Sequence, residues 1–492
     1  MDLISAILLS VSLMPADSAM ASIAAPAHEN PVVRQWMMSE SQSSIGGGYH
    51  NRRLNRAADY QQGTGDDYWA IGAETYLKHG TSTIWGDASY RNGHQRSVVW
   101  NETADADLLY PYLTADSVGG DLNSERYRFA GGYADCRGDW AWGASISYDA
   151  GLYYRNVDPR PRNVTGLLAV SAGAGRRIAG SYFGALSLNY AKYKQTDDID
   201  FVSQLGVEKI YHLTGLGNHY CRFAGVGAES YYNGNRYGLT ANLYPSSGRG
   251  LALTADFSRF TFDKILTALN KLPLVSVWHN AMTLQGVWMM PGRVHDWAVG
   301  AGLEVYRRHG RENVFGDASS NVYPLIASLE MYADNAWTPS LTALWQFHPS
   351  GPGFFMSAQV TGRWLHRAEV YSSPRRRMLT NRLNLEAEAL VSWPVGSRWR
   401  MTAAAGAAMF RPFGCSLRLD EAESQTPAGL IAVERHRYDT LSSAASDFNL
   451  RFGAQRRLCQ QLELAVSVRW DHEFYVSSIR SNTLSTSLSL VF

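Results

Sequence analysis

The sequence predicts an all-β fold: a single antiparallel transmembrane β-barrel of about 18–20 strands, with short periplasmic turns and long extracellular loops. Three observations carry that reading. Apolar residues recur at every second position along most of the chain, aromatic residues bracket the apolar runs, and the connections alternate between short and long. A strand sends successive side chains to opposite faces. A two-residue beat therefore suits a sheet, and would be smeared around a helix of 3.6 residues per turn.

The beat can be followed element by element. Trp140, Trp142, Ala144, Ile146 and Tyr148 oppose Gly143, Ser145, Ser147 and Asp149. Tyr182, Leu186, Leu188 and Tyr190 oppose Ala185, Ser187 and Asn189, and Tyr237, Leu239, Ala241 and Leu243 oppose Arg236, Thr240 and Asn242. Leu383, Leu385, Ala387, Ala389, Val391 and Trp393 share one face, with Arg382, Asn384, Glu386 and Glu388 on the other. The even positions from Leu462 to Phe474 repeat the pattern. In a soluble sandwich these apolar faces would point into a protein core; in a transmembrane barrel they point out into lipid.

Aromatic pairs favour the barrel. Tyr182 with Tyr190, Trp297 with Tyr306, Phe354 with Trp364, and Trp337 with Trp345 are spaced to mark the two membrane interfaces. Arg137-Gly138-Asp139, Asn233-Gly234-Asn235 and Val395-Gly396-Ser397 read as short inner turns, and 101–123, 195–218 and 412–437 as long outer loops. The chain ends on Leu484, Thr486, Leu488, Leu490 and Phe492 facing one way, with Thr483, Ser485, Ser487, Ser489 and Val491 facing the other. An open edge in lipid would leave unsatisfied N–H and C=O groups, so this last strand must close on the first. Its terminal Phe492 resembles the signal read by the outer-membrane assembly machinery.

Residues 1–21 read as a signal peptide, from the apolar stretch Ile4–Met14 and the Ala19-Met20-Ala21 processing pattern, although no Lys or Arg precedes that stretch. Residues 22–39 follow as an N-terminal periplasmic or lumenal segment, and 40–492 form the barrel. The expected location is the bacterial outer membrane. With 45 Lys and Arg against 44 Asp and Glu, the chain has no field to attract nucleic acid. The partners implied are outer-membrane lipid and lipopolysaccharide, the assembly machinery and a surface lipoprotein. Cys136, Cys221, Cys415 and Cys459 are far apart and lack a C-x-x-C. They read as unpaired thiols, with one or two long-range disulfides as the alternative.

No catalytic signature is present: no G-x-S-x-G, H-E-x-x-H, phosphate loop or dinucleotide fingerprint. The expectation is no enzyme and no cofactor. A surface hydrolase would have to draw on His279, His366 or His472, and His472 shares a face with Trp470 and Phe474, as an interfacial histidine would. Acidic loop positions Asp105 and Asp107, near Glu102, Asp116 and Asp121, are weak Ca²⁺ candidates, as are Asp197, Asp198 and Asp200; solvated loop tips are the plainer reading. His212, His219 and Cys221 could collect a softer metal. None of these amounts to a metal site.

The inward charges hold the most functional content. Arg126, Arg128, Gln359, Arg363, Arg382, Glu386, Glu388, Glu463, Arg469 and Asp471, with Glu473, fall on polar faces. A charge on the lipid face costs ~2–4 kcal/mol at midplane, so these groups should face the lumen. There they can set up a transverse field in an open pore, or form salt-bridge networks that fill a closed one. Arg375, Arg376 and Arg377 follow Pro374 in a proposed outer loop and could engage phosphates or another anionic ligand.

Three stretches, Trp85–Gly93, Val98–Thr103 and Tyr110–Tyr133, resemble a largely uncharacterised outer-membrane β-barrel family typical of Bacteroidota. The resemblance runs over most of the chain after about Asn30. It implies fold and compartment, and brings no established activity or functional residues. The function expected is a solute channel or substrate-selective transporter, its polar wall selecting and its loops gating. Any obstruction must come from the N-terminal segment or from loops such as 195–218 and 412–437. The alternative is a binding or scaffold barrel partnering a surface lipoprotein or ligand; a surface hydrolase is a third reading.

Overall fold

The computed structural model describes residues 30–36, 40–178, 180–203, 209–225, 229–319, 322–349, 353–419 and 427–492. Eighteen long strands form a closed antiparallel barrel. They are β1 (Gln42–Leu54), β2 (Gly65–His79), β3 (Ser82–Val98), β4 (Gly120–Arg137), β5 (Trp140–Tyr154) and β6 (Arg160–Ile178). Next come β7 (Tyr182–Asp200), β8 (Ser230–Pro245), β9 (Gly250–Leu266), β10 (Leu272–Met290), β11 (His295–Phe315) and β12 (Leu325–Phe347). The last six are β13 (Phe355–Tyr371), β14 (Arg376–Val395), β15 (Trp399–Pro412), β16 (Ala445–Cys459), β17 (Leu462–Tyr475) and β18 (Arg480–Val491).

Closure joins the two ends of the barrel. β18 pairs with β1 from Ser44 opposite Val491 to Leu54 opposite Ser481. Ser43 and Phe492 exchange both backbone hydrogen bonds, at 2.7 and 2.9 Å. The eighteen strands fall within the expected 18–20 and run from 12 to 23 residues. That exceeds the ~10 residues needed to cross, and the surplus stands above the outer face.

Three expectations are corrected. Asn233-Gly234-Asn235 is not a turn but lies within β8. Gly234 faces inward, where the Phe260 ring fills the space a Cβ would take. The second is Tyr306, which does not join the aromatic girdle. Its hydroxyl donates to Asp334 (3.2 Å) on the lumen side, and Val305 takes the lipid position. The long connections span 99–119, 201–229 and 413–444, because 195–200 is still β7.

The exterior explains the membrane. Near the outer edge Tyr49, Trp69, Tyr127, Tyr148, Tyr190, Tyr237, Phe257, Trp364 and Trp470 are exposed; near the inner edge Trp140, Trp142, Trp288, Trp297, Trp399 and Phe492 are. Between them lie bare aliphatic side chains such as Leu188, 70% exposed, and Leu341, 67% exposed. A closed band of this kind between aromatic girdles is a lipid-facing surface. Among the described residues no helix is long and apolar enough to cross a membrane; the strands do it. The chain is a β-barrel of the bacterial outer membrane. Leu341 lies midway between Trp337 and Trp345, so Leu341→Arg is expected to cost about 2–4 kcal/mol. Refolding into vesicles, read by heat-modifiable gel mobility, should fall sharply. Ser485→Arg, which faces the lumen, should change it little.

Candidate lumen site

The outer half of the lumen is filled by the chain's own loops. Loop 99–119 carries a short helix, α1 (Ala106–Leu109), and loop 413–444 carries α2 (Ala428–Leu441). Short strands Thr114–Ala115, Tyr211–Gly215 and Asn218–His219 form a small sheet separate from the wall. Loop side chains Leu109, Tyr112, Leu113, Leu213, Leu216, Leu430 and Val433 are buried against wall residues Tyr193, Tyr232, Phe260, Phe262, Val275, Tyr332 and Tyr371. Burying one such side chain is worth about 1.5–3 kcal/mol, enough in sum to hold three loops inside. Gly310 on β11 leaves room for the Tyr112 ring.

Buried polar groups fix this plug in register. Arg437 of α2 contacts Glu369 on β13, Glu434 one turn back (3.1 Å) and the Tyr110 hydroxyl (2.5 Å). Glu369 also receives Arg367 (3.2 Å) and the Tyr332 hydroxyl (3.0 Å), and Arg367 reaches Asp334 (2.9 Å). Glu312 accepts from Tyr371 (2.8 Å) and Tyr112 (3.2 Å), and Lys264 donates to the Leu113 carbonyl (2.9 Å). In loop 155–159, Arg155 holds Glu102 (2.8 Å) and Asp116 (2.7 Å) of loop 99–119. Burial, reinforced by a hydrogen bond to Asp116, pushes the Glu102 carboxyl well above its usual range. Burial also pushes up Glu434, against the pull of Arg437.

A second obstruction sits at the inner end. Residues 30–36 lie against β2–β8, with Val32 and Val33 buried on Ala141 and Ala185. Tyr76 donates to the carbonyls of Arg34 (3.0 Å) and Gln35 (2.7 Å). The Arg34 guanidinium lies over Trp85, and Asn30 donates to Asn242 (2.8 Å). Gly143 permits the approach: a Cβ there would stand 2.8 Å from the Pro31 backbone.

Between and beside these two bodies runs a charged wall. Arg128 bridges Asp87 (3.2 Å) and Asp149 (3.0 Å), while Arg126 reaches Asp105 and Tyr153. On β13–β17, Arg363 pairs with Glu386 (2.5 Å), Arg451 with Glu388 (3.2 Å) and Arg469 with Asp471 (2.7 Å). Gln359 donates to Thr361 (3.4 Å), Arg382 lies over Phe410, and Glu463 pairs with Arg457 (3.2 Å) at the inner mouth.

Other candidates do not converge. Arg376 is the first residue of β14 and is fully buried, donating to the Leu216 carbonyl (2.9 Å), while Arg375 and Arg377 are exposed. Strand alternation splits the three arginines, so they offer no common anion site. Asp197 faces the plug beside Ser230 (3.3 Å), whereas Asp198 and Asp200 face out. Asp105 is taken up by Arg126 and Tyr193 (2.9 Å), and Asp107 by Gln62 (3.3 Å). Among the described residues no group of three or more His, Cys, Asp or Glu side chains is placed to hold an ion, His212, His219 and Cys221 included. All four cysteines are free thiols. His366 stacks on Trp337, His472 lies between Trp470 and Phe474, and His279 accepts from Arg308 (3.4 Å).

Residues 31–492 match the family of unknown function DUF6850. The chain belongs to that family. A search of curated proteins finds no match. Among solved structures, similar folds include the siderophore receptor PirA from Acinetobacter baumannii (7% identity, 92% of this chain and 81% of that one, TM-score 0.38). The ferric enterobactin receptor PfeA is similar at 8% identity, 92% and 82% coverage and TM-score 0.39. So is the ferripyoverdine receptor of the Pseudomonas aeruginosa outer membrane, at 10%, 90% and 72%, and 0.40. Likeness at this level carries no conclusion about what the DUF6850 barrel binds.

Sequence reasoning missed the residues that lock the plug in this DUF6850 chain: Arg437, Glu434, Glu369, Glu312, Lys264 and Arg155. One signal was available. Loop 99–119 holds Leu108, Leu109, Tyr110, Tyr112 and Leu113 almost in succession, far too apolar for a solvated loop.

Proposed function

We propose that this barrel is a gated outer-membrane channel for small polar solutes, with zwitterions as the favoured class. The supporting observation is the β13–β17 wall. Its side chains point inward yet keep much of their surface: Arg363 43%, Glu386 36%, Glu388 46% and Arg469 46%. Inside a barrel, the water they meet is lumenal water. The plug's hydrogen bonds to the wall land on strands between β4 and β14, and the N-terminal segment packs on β2–β8, so most of this charged ladder, on β14–β17, lies to one side of both. Its charges alternate in sign, which suits solutes bearing both signs better than a simple cation or anion. In this reading the loop plug is the gate and the ladder is the selective surface.

The test is planar-bilayer recording and liposome swelling on the full chain. Glu386→Gln with Glu388→Gln leaves Arg363 and Arg451 unpaired, and should shift the reversal potential severalfold toward anions while the barrel still folds. If neither the parent nor a variant with a loosened plug conducts or swells liposomes, the channel reading is wrong, and the reading of a barrel that displays its loops to a surface partner takes its place.

A further inference from the structure

The outer rim of the barrel carries a lopsided set of cations on its lipid side. Cross-strand register places Tyr190, Tyr237, Arg259, Asn280, Arg307 and Asn335 in one lateral row across β7–β12. Below the two arginines lie the apolar Phe257 and Val305; above them a second row holds Lys192, Asn235, Trp278 and His309. Arg259 and Arg307 are exposed, and neither makes an ion pair among the described residues. Arg311 stands one step higher, its guanidinium over the Trp278 ring at 5.3 Å, and Lys192 donates to Asn235 (3.1 Å). The nearby acids are engaged: Asp263 accepts from Ser276 (2.6 Å) and Glu330 meets His309 (2.6 Å). Across the barrel, the positions just above Trp69, Tyr90 and Tyr127 hold Asp67, Asn92 and Glu125 instead.

A free guanidinium at the upper edge of a lipid-facing band is costly unless an anion sits at the same depth. Two of them, two strands and therefore about 10 Å apart, with an amide between, can grip phosphate oxygens from both sides. From this geometry we propose that Arg259, Asn280 and Arg307, backed by Arg311 and Lys192, form a headgroup site for a phosphorylated glycolipid of the outer leaflet. Its acyl chains would lie along Phe257, Met282 and Val305. The site is independent of whether the lumen conducts.

Native mass spectrometry on the full chain in detergent micelles tests it, with bis-phosphorylated lipid A as the probe. Dephosphorylated lipid A and phosphatidylglycerol serve as the other arms. Bis-phosphorylated lipid A should stay bound to the parent and be lost about tenfold from R259Q/R307Q, as expected for removing two charge-assisted contacts. R411Q, on the β15 exterior, should retain it. The single variants R259Q and R307Q keep one cation and so spare folding, which heat-modifiable mobility reports; each should show a partial loss. Equal retention by the double variant, or equal binding of the dephosphorylated lipid or of phosphatidylglycerol, would overturn the proposal.

Discussion

Replacing Arg437 by methionine is expected to raise the conductance of the barrel. Arg437 is the only side chain of α2 that joins Glu369, Glu434 and the Tyr110 hydroxyl among the described residues, and so it ties two plug loops to β13 at one point. Methionine keeps the bulk and removes the charge. Among the described residues, Glu434 then loses its one ion pair and Glu369 keeps that with Arg367 (3.2 Å). Breaking a buried ion pair from one side costs about 3–5 kcal/mol, and Arg367 should hold the loss toward the lower figure. That is a large share of what can seat a fourteen-residue helix. The strand ladder does not depend on this contact, so heat-modifiable mobility should be unchanged while single-channel current and liposome swelling rise. Arg437→Lys should fall between, because an ammonium cannot serve the two carboxylates and the hydroxyl with one planar fork. An intact barrel with unchanged current would show that α2 does not limit passage.

The barrel was legible because lipid enforces strict alternation: Leu383 and Leu385 must face out, so Arg382, Glu386 and Glu388 face in. The same arithmetic corrects the readings that failed. Trp297 and Tyr306 are nine positions apart, an odd number, and cannot share a face of one regular strand. Arg375, Arg376 and Arg377 are consecutive, and a strand beginning among them must send the middle one the other way. Asn233-Gly234-Asn235 looked like a turn because Asn-Gly favours one, but packing of Phe260 against Gly234 keeps the strand running. The plug was half legible. Loops 195–218 and 412–437 stood out by length as possible obstructions, whereas loop 99–119 was read as an outer loop, for its acids and for a family resemblance, and not as part of a plug. The ion pairs could not be read at all. Arg437 and Glu369 are 68 residues apart, and Arg155 and Glu102 are 53 apart. Only the register of strands between them brings such groups together.

Arg155 faces two carboxyls, Glu102 and Asp116, and all three side chains are at most 1% exposed. One guanidinium balances one carboxylate, so the trio is neutral only while it holds one proton. Burial and then Asp116 raise Glu102 well above its ordinary 4.5, which puts the proton there. For Asp116 burial works the other way, but the hydrogen bond from Glu102 and the charge of Arg155 prevail and hold it below its ordinary 3.8. The signs of the two shifts bracket the contact. Glu102, raised in the folded chain, contributes fully below about 4.5 and loses that contribution as pH rises through its folded value. Asp116, lowered, contributes above about 3.8 and loses that as pH falls through its folded value. Loop 99–119 should therefore be seated best between the two limits and loosen on the alkaline side, where a second buried carboxylate forms beside Arg155. Protease cleavage within 99–119 of the purified barrel, followed against pH, should show that alkaline rise. Glu102→Gln fixes the protonated shape and should flatten it, leaving the acid limb in place. Arg155→Met should loosen the loop at every pH above the Asp116 titration, since it strands that carboxylate in the interior. An alkaline rise that survives Glu102→Gln unchanged would assign the proton to some other group.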